Sequence, residues 1–222
     1  MQKTNSEYDM KQTASHHPRR NQNGFSAFEL LIVVTLIAIV GAITVPQMIA
    51  QRRLLLSAGV PREIVSQIRL ARQQAMTQRQ AFTLQYDNNT KQIAIIDHNA
   101  SGTSILADPG YPNNAGSTVV SSLKLAGGGS ESSEITYGIP SGLPTGPLSD
   151  GVAKTNLNNA RLNITFQPDG SVVDVNGNPV NRGLFIYNSK APRQTAVAVS
   201  ILGAAGRIKF WRYESSANQF VE

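Results

Sequence analysis

Hydrophobic positions fall into three regimes along this chain. Residues 1–24 are polar and contain no apolar run. From Phe25 to Val45 only Glu29 is charged, and as a helix rising about 1.5 Å per residue this stretch spans roughly 30 Å, the hydrocarbon thickness of a bilayer. A secretory signal peptide has a shorter apolar region, about 7–15 residues, and a small-residue cleavage site after it. Here the apolar run continues into Pro46-Gln47-Met48-Ile49 without such a site, so a retained span is expected. From Leu54 to Gln80 the pattern is that of an amphipathic helix. Ile64, Ile68, Ala71 and Ala75 form one stripe, with Arg62, Arg69, Arg72 and Arg79 largely off it. Gly59 and Pro61 interrupt the run, and Pro removes a backbone donor, so a kink or short break is predicted there.

After Gln80 the period changes to two. Phe82–Tyr86 and Gln92–Ile96 flank Asp87-Asn88-Asn89-Thr90, which reads as a hairpin. Residues 98–160 are rich in Gly, Ser, Pro and Asn and are expected to be largely loop, with strand character only at Thr118–Leu125 and Glu134–Tyr137. Alternation returns at Arg161–Phe166 and Ser171–Val175, separated by the turn Gln167-Pro168-Asp169-Gly170. A second turn, Asn176-Gly177-Asn178-Pro179, precedes strands at Leu184–Tyr187, Thr195–Leu202 and Arg207–Tyr213. The predicted fold class is α+β, a long N-terminal transmembrane helix followed by an antiparallel, β-sandwich-like globular domain. The divisions are a leader at 1–24, a helix at 25–80 (25–49 in the membrane, 50–80 amphipathic), and a β-rich domain at 81–222 with a loop-rich insertion at about 98–160.

Composition narrows the chemistry. With 222 residues there is room for one ordinary domain and an anchor. The chain has no cysteine, which removes disulfides, thiolate nucleophiles and Cys-based metal sites. Lys3, Lys11, Arg19 and Arg20 against Glu7 and Asp9 account for two of the six net positive charges. An excess of this size permits contact with anionic lipid or nucleic acid without demonstrating either. The histidines are His16, His17 and His98. Asp97-His98 with Ser101 nearby is a weak hydrolytic candidate, since adjacency in sequence is not a triad. No metal-ligand spacing or phosphate-binding glycine motif is present, so the chain is read as a non-enzyme that needs no cofactor.

The informative constellation is Gly24-Phe25-Ser26-Ala27-Phe28-Glu29. A carboxylate inside an apolar span costs several kcal/mol on insertion scales (about 2.5–3.5) and calls for a partner. No cation lies within helical reach of Glu29 on the membrane side. A cut between Gly24 and Phe25 would create one, the new α-amino group of Phe25. In a bundle of identical helices Glu29 of one subunit would then sit beside the amine of the next, so that pairing rewards assembly. Gly24, lacking a side chain, suits close approach of a protease. The competing reading is a carboxylate that snorkels to the interface.

These residues resemble the type IV prepilin leader, in which a basic segment ends in Gly, followed by Phe, a short apolar stretch, and Glu as the fifth residue of the mature chain. Pro46 matches a proline common in the pilin helix, while Ala27 departs from the more usual Leu. The resemblance implies cleavage by a prepilin peptidase on the cytoplasmic face of the inner membrane, N-methylation of Phe25, and a globular domain outside the cytoplasm that assembles with other pilin or pseudopilin subunits. Ile68–Met76 running into Phe82-Thr83-Leu84, then Phe166–Gly170 and Gly206-Arg207-Ile208, are similar to the minor pseudopilin H (GspH) and FimT branch of that superfamily. The branch implies a minor subunit of a type II secretion pseudopilus or type IV pilus, with a secreted substrate as a further partner.

A second functional reading rests on the last third. Arg207, Lys209 and Arg212 alternate with Ile208, Phe210, Trp211 and Tyr213, which offers basic groups to phosphates and aromatics for stacking. Some FimT-like minor pilins take up DNA through a similar G-R-x-R tail, and Gly206-Arg207-Ile208-Lys209 is close to it. The plainer reading is an outward basic face on a strand whose other face is core.

Overall fold

The computed structural model describes residues 24–222. The expected leader up to Asn23, with His16 and His17, lies outside the described residues. Two compact units are distinguished, one ending at Pro46 and one running from Gln47 to Glu222. Helix α1 covers Ala27–Gln78. In the first unit it is apolar and exposed around its whole circumference, with no residue of its most apolar stretch buried. A helix that is hydrophobic all round belongs in lipid or inside a larger assembly.

In the second unit α1 is amphipathic, and the predicted stripe is its buried face. Val60, Pro61, Ile64, Ile68, Ala71 and Ala75 are all buried. Of the kink or short break predicted at Gly59 and Pro61, the break is not observed, because helix continues through both. An interior proline costs about 3 kcal/mol. That cost is offset here because Val60 and Ile64, on either side of the proline, enter the core, and each fully buried aliphatic side chain contributes roughly 1.5–3 kcal/mol. The helix ends at Gln78, and the φ of +56° at Arg79 places that next residue in the left-handed conformation usual after a helix C-terminus.

The chain then forms the expected hairpin, β1 (Phe82–Asp87) and β2 (Gln92–Asp97), with Leu84 opposite Ile95. Asp87 closes the turn by accepting the Asn89 and Thr90 amides at 2.8 and 3.2 Å. A single helical turn α2 (Ser104–Ala107) follows, then β3 (Thr118–Lys124), two 3₁₀ turns at Leu125–Gly128 and Ser130–Glu134, and β4 (Ile135–Tyr137). Next come β5 (Arg161–Phe166), β6 (Arg182–Asn188), a short α3 (Pro192–Thr195), β7 (Val197–Leu202), β8 (Arg207–Glu214) and β9 (Gln219–Val221). They make two antiparallel sheets, ordered β3-β2-β1-β5 and β4-β6-β7-β8-β9. Ser171–Val175 is not the predicted strand and makes only isolated bridges, Phe166 to Val172 and Val173 to Pro179. Val172 sits between two turns, donating to Gly203 and accepting from Val180 at 2.8 and 2.9 Å, which leaves no room for a ladder.

One core joins the helix stripe to the inward residues of both sheets: Phe82, Leu84 and Tyr86 from β1, Ile164 and Phe166 from β5, Leu184 and Ile186 from β6, Val199 and Ile201 from β7. A second cluster lies on the far face of the five-stranded sheet, where Phe185, Ala198, Trp211 and Tyr213 pack under Leu143 and Leu148. The loop-rich segment 98–160 therefore caps that sheet, contributing two buried leucines.

Candidate functional site

The N-terminal candidate begins at Gly24, where no heavy atom of the described residues would lie within 4 Å of an added Cβ. Phe25 is 81% exposed. Ser26 caps α1, its hydroxyl accepting from the Phe28 amide at 3.2 Å and its carbonyl from the Leu30 amide at 3.1 Å. Glu29 stands three residues after Ser26 in the first turn of the helix, the S-x-x-E spacing of a capping box. Negative charge there is favoured by the helix dipole. That signal is legible in the sequence and was overlooked in the reading of Glu29 as a membrane carboxylate alone. Among the described residues Glu29 has no ion-pair partner. Further along, the hydroxyls of Thr35 and Thr44 donate to the Leu31 and Val40 carbonyls at 2.8 Å each, so both polar groups are satisfied within the helix. Pro46 is exposed and lies inside α1.

The second candidate, the basic strand β8, separates into two faces. Arg207, Lys209, Trp211 and Tyr213 alternate on one, and Ile208, Phe210 and Arg212 on the other. Lys209 is engaged, with Nζ 2.5 Å from a Glu222 carboxylate oxygen and 5.1 Å from the centre of the Trp211 ring, and its side chain is only 16% exposed. Trp211 is 3% exposed and Tyr213 is buried. The Trp211 indole donates to Ser200 Oγ at 2.8 Å, and that hydroxyl donates to Asp150 at 2.5 Å. Neither ring offers a free stacking surface. Arg207 is exposed. Arg212 instead borders a groove of about 560 Å³ against α1, together with Arg62 and Arg69. The three basic residues therefore do not converge, and the groove was not foreseen because it needs helix and strand side by side.

The other motif segments do meet. Arg72 of α1 donates from Nε to the Gly170 carbonyl at 3.2 Å and from Nη2 to the Ala205 carbonyl at 3.0 Å. Gly170 has φ +80°, and a Cβ there would lie 2.9 Å from Met76 Sδ; Gly206 has φ +57°, and a Cβ there would overlap the Gly170 carbonyl. Asp169 braces the turn by accepting from the Ser171 hydroxyl at 2.6 Å and its amide at 2.9 Å. Those hydrogen bonds, the hydroxyl first, hold its carboxyl below the usual value. The similar segments around Arg72, Gly170 and Gly206 are thus one clasp between the helix and two turns. A second tie joins Arg53 to Glu134 through two hydrogen bonds of 2.7 and 3.0 Å, with Asn188 donating to Glu134 and to Ser57 Oγ at 3.0 Å each. The Arg53 hydrogen bond is the chief reason that the Glu134 carboxyl is held below its ordinary value.

The weak hydrolytic candidate does not assemble. His98 is buried with Nε2 2.6 Å from Thr83 Oγ1, and Asp97 accepts the Asn99 amide at 2.8 Å. Ser101 is exposed, and among the described residues it shares no hydrogen bond with His98. Burial pushes the His98 imidazole below its usual pKa.

Comparison with known families adds the deciding observation: the model of the family described as type II transport protein GspH matches residues 62–203, well over half of the chain. The chain belongs to the GspH family. Its matched region runs from the amphipathic part of α1 to the end of β7 and includes the loop-rich segment. The long apolar helix followed by antiparallel sheets is the pilin-like architecture of a minor pilin or pseudopilin. Among solved structures, two crystal forms of the type IV minor pilin FimU of Pseudomonas aeruginosa are similar, each at 17% identity over 74% of this chain. They cover 92% and 97% of the FimU chains, with TM-scores of 0.42 and 0.41. No curated protein matches the chain.

Proposed function

We propose that the chain is a precursor cut between Gly24 and Phe25 by a prepilin peptidase, N-methylated at Phe25, and built as a minor subunit into a secretion pseudopilus or type IV pilus. The observation that carries this is an apolar helix with nothing packed on it in the described residues and one carboxylate, Glu29, in its first turn. Cleavage places a positive amine four residues before that carboxylate. Packing helices side by side in the membrane then brings the amine of one subunit to the Glu29 of another, so a charge that is costly alone becomes an assembly contact. The leader stays cytoplasmic, the anchor crosses the inner membrane, and the domain from Gln47 onward faces outward to meet other subunits and a secreted substrate. Pro46 frees the Ala42 carbonyl within the anchor, a point where the helix can adjust to its neighbours.

Co-expression with a prepilin peptidase tests the reading directly: intact mass is expected to fall by the residues through Gly24, and an unchanged mass overturns it. In the same cells Glu29→Ala is expected to leave cleavage intact and to abolish recovery of the chain in sheared filaments. Normal filament entry would refute the charge pairing.

DNA uptake through Arg207, Lys209 and Arg212 is the second reading. Engagement of Lys209 by Glu222 and burial of Trp211 and Tyr213 weigh against that strand as a nucleic-acid platform. Its test is salt-sensitive DNA binding lost in the Arg207→Ala/Lys209→Ala double variant.

A further inference from the structure

The groove between α1 and β8 combines an apolar lining with an unbalanced charge. Pro61, Val65 and Leu70 of the helix and Phe210 of the strand line it, and Arg62, Arg69 and Arg212 border it. None of these arginines has an ion-pair partner among the described residues. The acids nearest in sequence are committed elsewhere: Glu63 accepts the Ala126 amide at 3.2 Å, Glu214 accepts the Ser216 hydroxyl at 2.9 Å, and Glu222 holds Lys209. Three guanidinium groups in one depression of about 560 Å³ with no acid facing them define a surface complementary to a negative partner that also carries apolar bulk.

Spacing identifies the form of that partner. Arg62 and Arg69 lie seven residues apart on α1, roughly 10 Å along the axis. Carboxylates seven residues apart on a second helix repeat that distance on one face. Same-face positions of a strand recur at about 7 and 14 Å and match it poorly. A nucleic-acid strand would need successive stacking surfaces, whereas Phe210 is the single aromatic residue in the lining.

We infer that this groove docks an acidic amphipathic helix of another subunit, with two carboxylates two turns apart meeting Arg62 and Arg69 and an aliphatic side chain between them seated against Val65 and Phe210. Arg212 closes the far side. The identity of the partner as a subunit rests on the assembly role proposed above; the groove's preference for an acidic helix does not.

Binding of a fluorescent helical peptide to the full chain in non-ionic detergent, followed by anisotropy, is the test. The probe carries leucines on one face flanked by glutamates seven residues apart, and a matched peptide has lysines in their place. The glutamate peptide is expected to bind the native chain and to lose about tenfold or more in affinity with Arg62→Glu/Arg69→Glu/Arg212→Glu. The lysine peptide is expected to bind the reversed variant, a rescue that a misfolded domain would not give. Equal binding of the glutamate peptide to native and reversed chains overturns the inference. So does failure of the lysine peptide to rescue, and so does tight binding of an oligothymidine with none of the glutamate peptide. Peptidase processing measured on the same preparations separates failure of the groove from failure of the subunit reading.

Discussion

Arg72 shows how a residue that reads as part of a solvated basic face can hold a fold together. Its guanidinium bonds two carbonyls from turns that are far apart in sequence, Gly170 and Ala205. Hydrogen bonds from a charged donor contribute about 1.5–3 kcal/mol each at most, and partial exposure lowers that. Arg72→Ala is therefore expected to destabilise the domain by about 2 kcal/mol in urea unfolding. Arg69→Ala, one turn earlier and exposed, is expected to stay within about 0.5 kcal/mol. Gly206→Ala should match or exceed the Arg72 loss, because the added methyl has to displace the Gly170 backbone and occupy a left-handed conformation. If Arg72→Ala and Arg69→Ala unfold at the same urea concentration, the clasp does not hold the turns.

At the scale of elements, the period of the sequence was a sound guide where one face of an element is buried. The stripe Ile64-Ile68-Ala71-Ala75 and the β1–β2 hairpin were both legible, since burial on one face imprints a period of 3.6 or 2 on the residues. Ser171–Val175 alternates equally well yet forms no strand, because two flanking turns take its backbone partners, and alternation carries no record of that. The C-terminal β9, the outer cluster under Leu143 and Leu148, and the groove beside Arg212 were invisible for a related reason. The strand β9 has three residues, too few to show a period, and folds back on β8 across a four-residue turn, while the cluster and the groove arise from contacts between segments remote in sequence. The same holds for Glu134, whose role as the acceptor of Arg53, 81 residues away, could not be read from an acid at the start of a short predicted strand. Its folded carboxyl titrates below the ordinary value of 4.5, chiefly through the Arg53 hydrogen bond. A depressed carboxylate contributes stability that is present above the unfolded value and lost as pH falls through the folded one. The Glu134 contribution to the thermal midpoint is thus expected to hold down to about pH 4.5 and to be lost below it. It adds to a loss that sets in below about pH 6.5, where the buried His98, held below its usual pKa, resists protonation. Glu134→Gln should shrink the loss below about pH 4.5, and an unchanged acid slope there would remove the Arg53–Glu134 tie from the account.

For the whole molecule, the division at Pro46 separates two kinds of hydrophobic surface. Before it, large apolar side chains such as Leu30, Leu31, Ile37 and Val40 are exposed, a state that is tolerable in lipid or in a packed filament and not in water. From Gln47 onward the chain has its own core, in which the buried helix stripe and both sheets share one cluster. The part of α1 that enters this core begins only at Ser57, one turn before the first buried aliphatic, Val60. The domain's stability should therefore not depend on the anchor. A fragment starting at Gln47 is expected to express without detergent, to remain monomeric in size-exclusion chromatography, and to melt cooperatively within a few degrees of the full chain, since a shared core implies a shared unfolding transition. A fragment starting at Ile68 removes Val60 and Ile64 from that core, and losing two such side chains should cost roughly 3–6 kcal/mol, enough to unfold a domain of ordinary marginal stability. Aggregation of the Gln47 fragment would mean that the anchor and the domain are not the separable parts that their packing describes, and equal stability of the two fragments would mean that Val60 and Ile64 do not hold the core.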